Sequence, residues 1–272
     1  MNKLASDIMK AVESNTLKLP TLPEVALRIR QSEKDPNLDV LGLARIIEHD
    51  PATTAHLLRI ANSPLVRREV KVADLSKAIS LLGINYCGKL AISLSTRQLF
   101  NSKKPESIKK MRQVWQQSLE VACLCYVLAN KTKLVPEEAF LAGLLHKIGC
   151  LPIIALADGS DRYSQEELEI ALTDIHPMLG ESILTKWQFP RTISDIPLSY
   201  QNNNRYVSRI DLCDLVTIAN NRVCPAEQQI PWKDISALDR LGWHSASIEE
   251  SFNHIQIELD IAHDVFEYRV SA

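Results

Sequence analysis

Glycine is the residue that most restricts what this chain can build: it occurs only 8 times in 272 residues. Prolines fall mainly at segment boundaries, and alternating apolar–polar runs are few. Apolar residues instead recur at helical spacing, so the sequence predicts an all-α fold. In residues 22–33, Leu22, Val25, Ala26 and Ile29 share one face. Asp50-Pro51 is a helix start, because Asp accepts free amides and Pro suits the first helical position. That helix is expected to carry Ala55, Leu58 and Ala61 on one stripe and ends near Asn62-Ser63-Pro64. Asp74 caps a further helix that stops at Gly83, where a positive φ costs little. A long helix is expected over residues 106–131. Another follows from Val135-Pro136-Glu137-Glu138 to Gly149, with acids placed in the first turn, where the helix dipole favours them. Ser164 with Glu167, and Ser247 with Glu250, have capping-box spacing. After the polar loop 201–205, helices are expected at about 206–221 and 247–268.

The formal net charge is -2 and the pI is about 6.4. This balance argues against nucleic acid or an anionic membrane as partner. The cluster Lys103, Lys104, Lys109, Lys110 and Arg112 reads as a solvated linker and helix start. The first residues lack the apolar run of a signal peptide, and no uninterrupted apolar stretch approaches the roughly 18 residues of a membrane span. The six cysteines, Cys87, Cys123, Cys125, Cys150, Cys213 and Cys224, show no C-x-x-C spacing. They read as buried free thiols in a reducing cytoplasm. No phosphate loop, nucleophile elbow or dinucleotide fingerprint is present.

Six segments in order then resemble the HDOD family, bacterial signal-output domains related to the HD phosphohydrolases. They are LPTLPEVALRI (19–29), ARIIEHDPATTAHLLRIANS (44–63), LSKAISLLGIN (75–85), VWQQSLEVA (114–122), EEAFLAGLLHKIG (137–149) and HPMLGESILTKWQFP (176–190). With the polar linker 101–106, the resemblance implies a multi-helix bundle in two parts. One is an N-terminal helical half, 1–103; the other is an HD-like helical half, 104–272, with extra C-terminal helices.

In HD phosphohydrolases a first His, an adjacent His-Asp pair and a later Asp hold divalent metal, which activates water and stabilises phosphoryl charge. Here the first position matches Gln117, a weak neutral ligand at best. His146 matches the His of the pair, but Lys147 stands where the Asp should be, and an ammonium repels a cation. The last Asp falls near Asn220. His176 matches a histidine in the family's H-x-x-x-G segment, and Tyr200 and Gln201 stand where paired histidines are often found. The resemblance therefore implies a vestigial pocket (Gln117, His146, Lys147, His176, Asn220) with no catalytic residue, no metal ligand set and no cofactor. His146 and His176 also have bland readings, as a hydrogen-bonded helix histidine and a helix start. Trp115 and Trp187 are expected in the core, whereas Trp232 and Trp243 are either core residues or exposed partner anchors. The function implied is a non-catalytic signalling adaptor that binds other signalling proteins, with homo-oligomerisation left open. The alternative is a residual metal-dependent phosphohydrolase or a nucleotide-binding sensor using the HD pocket.

Overall fold

The computed structural model describes residues 2–33, 35–64, 66, 71–102, 104–158 and 162–267. Lys103 of the basic cluster lies outside the described residues, as does Tyr268 at the expected end of the last helix. The fold is all-α, with no strand among the described residues.

The first helices are α1 (Lys3–Glu13), α2 (Glu24–Ser32), α3 (Val40–Ile47), α4 (Pro51–Ala61), α5 (Leu75–Leu82) and α6 (Ile84–Ser95). Aspartate caps set their starts. Asp39 accepts from the Gly42 N–H, Asp50 from those of Ala52 and Thr53, and Asp74 from that of Lys77. Gly83, at φ +97°, joins α5 to α6 and allows a bend of 115° between them.

Next comes α7 (Pro105–Ala129), the 25-residue axis of the molecule, then α8 (Pro136–Leu145), α9 (Cys150–Asp158), α10 (Gln165–Asp174) and α11 (His176–Lys186). The chain closes with the short α12 (Arg191–Ser194) and α13 (Ile196–Ser199), α14 (Leu212–Val223), α15 (Ala237–Leu241), α16 (Ile248–His254) and α17 (Gln256–Phe266). The α7–α8 pair is the most extensive in the fold. A Cβ at Gly143 would lie 2.7 Å from the Ala122 Cα, so only glycine lets the two backbones meet. Both α14 and α17 also pack on α7, while α6 packs on α8 and α2 on α6.

A single apolar cluster consequently runs from Leu22 to Phe266 and crosses the 103/104 boundary. Phe140 and Phe266 are among its largest fully buried side chains. Each contributes about 1.5–3 kcal/mol by burial. A smaller cluster fixes α1 to the other half, through Leu4 and Ile8 against Ile153, Ala171 and Leu179.

Several expected boundaries shift. The helix that begins at Pro136 stops at Leu145, and residues 146–149 form a turn before α9. Gly149 sits against α11, where a Cβ would fall 2.0 Å from the His176 carbonyl oxygen. The combined run Pro136–Asp158 is long and apolar enough to cross a membrane, with hydropathy 1.9, but 83% of that window is buried inside the fold. It is the core strut. The helix expected from 206 begins at Leu212, because Asp211 caps it through the Asp214 N–H at 2.9 Å. The last expected helix breaks at Ile255 (φ −103°, ψ 2°) into α16 and α17.

Ser164 and Glu167 make both halves of their capping box. Ser247 makes no such bond. Its ψ of 23° takes it out of the extended geometry a cap needs, and its carbonyl accepts from the Ser251 hydroxyl instead. Trp187 is buried and Trp115 half-buried against Phe100. Trp232 and Trp243 both pack half-buried on Phe252, so neither projects as a free anchor.

Candidate functional site

Four elements bring the pocket residues together. Gln117 lies on α7, His146 and Lys147 in the turn after α8, and His176 at the first position of α11. Asn220 lies near the end of α14. The tight α7–α8 contact sets Gln117 beside the turn, and the close approach of Gly149 to α11 sets His176 beside His146.

His146 is fully buried. Its Nδ1 lies 2.6 Å from the Gly143 carbonyl oxygen, so that nitrogen carries the proton and donates. Nε2 faces inward with no hydrogen bond of normal geometry; the Asn220 amide is its neighbour. The ring stands edge-on to Tyr200 at 5.0 Å. Burial, and then the Lys147 charge, hold its pKa well below 6.5, so the imidazole is neutral.

His176 is 2% exposed, and its Nε2 accepts from the Tyr200 hydroxyl at 2.9 Å. Gln201 Nε2 donates to that same hydroxyl at 3.2 Å, so the phenol is satisfied on both sides. Burial, aided by Lys147, pushes His176 down to about 4, and backbone groups of Leu172 and Thr173 offset part of that shift.

Lys147 is half-buried, and its Nζ donates to Gln117 Oε1 at a long 3.5 Å. Burial lowers its pKa. The thiols of Cys150 and Cys224 act the other way, and Lys110 lowers it further. Among the described residues no carboxylate forms an ion pair with it. The structure therefore joins Lys147 to Gln117 and sets His146 beside both Lys147 and Asn220. His176 is linked to the group through Tyr200.

A divalent cation does not fit this donor set. Among the described residues His146 Nε2 is an inward imidazole nitrogen with no hydrogen bond of normal geometry, but His176 Nε2 is taken by the Tyr200 hydroxyl, Gln117 and Asn220 are neutral amides, and the Lys147 ammonium stands among them. Among the described residues no three His, Cys, Asp or Glu side chains converge to hold a metal.

Two features escaped the sequence reading. Ser118, fully buried on α7, has an Oγ with no hydrogen bond of normal geometry. The second feature is an ionic lock. Asp214, fully buried, receives Arg205 Nη1 at 2.9 Å and Arg240 Nε and Nη2 at 2.7 and 2.8 Å, while Arg205 also grips Asp211 at 2.6 Å. The Asp-x-x-Asp spacing of 211 and 214 was its visible signal, since the first acid caps the helix that buries the second.

The α7–α8 core with its histidine turn defines an HD-like helical scaffold, and solved structures share it. A protein from Shewanella amazonensis SB2B, provisionally described as a metal-dependent phosphohydrolase, superposes with a TM-score of 0.84 at 23% identity. The match covers 97% of this chain and 98% of that one. An HDOD domain protein of unknown function from Geobacter sulfurreducens gives 0.69 at 21% identity, over 97% and 98% of the two chains. These likenesses show the fold alone.

The family model for the HDOD domain matches residues 19–203, and the chain belongs to the HDOD family. Among curated relatives, an uncharacterized protein of Treponema pallidum (strain Nichols) is 22% identical over 70% of this chain, and the cyclic di-GMP phosphodiesterase CdgJ of Vibrio cholerae is 27% identical over 54% of it. The matched part spans only 38% and 32% of those two relatives. HDOD domains thus occur in signalling proteins.

Proposed function

We propose that this chain is a cytoplasmic, non-catalytic signal-transduction module that works by binding other signalling proteins on a degenerate HD scaffold. The carrying observation is Lys147. Its ammonium reaches Gln117 beside a neutral His146, in the place where the resemblance to HD phosphohydrolases puts metal. An ammonium there repels a cation and leaves no activated water to attack a phosphoryl group. The neutral histidines, held by Gly143 and Tyr200, act as packing groups. Five of the six cysteines are buried free thiols, with Cys87, Cys150 and Cys213 pushed up to about 12 by burial, which suits a reducing compartment. CdgJ is named for cyclic di-GMP hydrolysis, but this chain matches about a third of its length.

Hydrolysis of p-nitrophenyl phosphate and bis(p-nitrophenyl) phosphate with added Mg2+, Mn2+ or Fe2+ tests the reading. No turnover above the protein-free blank is expected, and affinity capture by wild type and by Lys147→Met should recover the same protein. Metal-dependent turnover lost in an Asn220→Ala or His146→Ala variant would sink the proposal.

A further inference from the structure

A cavity of about 610 Å³ opens between α2, the α5–α6 corner and the first turn of α8, where the two halves of the chain meet. Its polar lining is Glu33, Asp35, Asn85, Tyr86, Lys89 and Glu137. Two of the ionised groups already have partners within the chain. Lys89 Nζ lies 2.7 Å from Glu138 Oε1, and Arg30 Nη1 lies 3.1 Å from Glu33 Oε2.

Glu137 differs. It is 9% exposed, yet its carboxylate makes no hydrogen bond and no ion pair with any described residue. Burial chiefly, with a smaller contribution from the Glu137 charge, raises the pKa values of Tyr86 and Tyr126, whose hydroxyls lie 3.2 Å apart. Asp35, exposed at the rim, receives the Asn37 backbone N–H on its side chain and has no basic partner among the described residues. The position of Glu137 in the first turn of α8 accounts for an acid at that helix end, but the adjacent half-buried Glu138, paired with Lys89, serves that role as well. Helix polarity alone does not call for a second carboxylate facing the cavity, and Lys89, the base among the lining residues, is engaged by Glu138.

We propose that this cavity receives a basic side chain, arginine by preference, from a partner protein. A guanidinium suits it because its planar fork pairs with a carboxylate while its face lies on an aromatic ring, here Tyr86. Lysine matches the charge but not the fork. The cavity draws on both halves of the chain, so an inserted side chain would tie α2 and α6 to α8. That the occupant is a protein rests on the adaptor reading above.

Amide chemical shifts of the 15N-labelled full chain, titrated with N-acetyl-arginine amide, test this. N-acetyl-citrulline amide supplies the same shape without charge, and Ca2+ supplies charge without the fork. Saturable shifts confined to amides 83–89 and 137–138 are expected with the arginine probe. Citrulline should bind at least about tenfold more weakly, the loss of roughly one charge-assisted bond. Glu137→Gln should weaken arginine binding by a similar factor, and Asp35→Asn by about threefold. Asp35 is exposed, so that variant carries the test even if Glu137→Gln fails to fold. Equal response to citrulline, undiminished binding in the folded variants, or a response to Ca2+ without one to arginine would overturn the proposal. A failure here leaves the His146–Lys147 pocket untouched, and a metal found there leaves this cavity untouched, so the two readings fail separately.

Discussion

Acid should loosen this fold well before its carboxylates titrate. His56 and His176 are 4% and 2% exposed, and burial lowers each from 6.5 to about 4. His56 Nε2 lies 2.8 Å from the Val265 carbonyl oxygen and so links α4 to α17, and His176 holds Tyr200 against the pocket. Between pH 6.5 and about 4 the unfolded chain binds a proton at each site and the folded chain does not. Stability is therefore complete above pH 6.5 and falls as pH drops through that window. At pH 5 the linkage amounts to about 2 kcal/mol per histidine, or about 4 kcal/mol for the pair. His146 shifts in the same direction and adds to the loss. Against a typical total of about 5–15 kcal/mol, that is a large fraction. Urea denaturation followed by circular dichroism at pH 7 and pH 5 measures it directly. His56→Gln and His176→Gln should each cut the pH dependence by about 2 kcal/mol whatever they cost at pH 7. A wild-type stability at pH 5 within about 1 kcal/mol of that at pH 7 would refute the reasoning.

Two further substitutions probe the architecture. Asp214→Asn leaves Arg205 and Arg240 facing one another around a buried neutral amide. It should cost about 3–5 kcal/mol in a denaturant titration, and a loss below about 1 kcal/mol would show the lock to be dispensable. Gly149→Ala drives a Cβ to 2.0 Å from the His176 carbonyl oxygen, whereas a Cβ at Gly88 meets only Ile29 Cγ2 at 3.4 Å. The first should lose more than about 4 kcal/mol or fail to fold, while Gly88→Ala, within α6, should gain about 0.5–1 kcal/mol; equal thermal midpoints would contradict this.

The helices with aspartate or proline starts were legible because their signals are local. Asp50-Pro51, Asp74 and the Ser164/Glu167 box each fix backbone groups within three or four residues. The misplaced boundaries depend on contacts distant in sequence. Nothing near 146–149 says that α11 will press on Gly149, and nothing near Ile255 marks the break between α16 and α17. Among the site residues, Gln117, His146 and Lys147 could be placed by resemblance because they lie in ordered motif segments, and the structure sets them in one group. Tyr200 stood in view only as a departure from the family pattern, although its hydroxyl is the group that holds His176. Glu137 could not be singled out, since an acid in a first helical turn looks ordinary until the facing cavity is seen.

On the proposed reading, the Lys147 ammonium stands where the resemblance to HD phosphohydrolases puts metal. Elemental mass spectrometry on tag-free protein, purified without chelator, tests it most directly. Iron, manganese and zinc at background are expected, and near-stoichiometric amounts of any of them would contradict the claim and restore a phosphohydrolase reading.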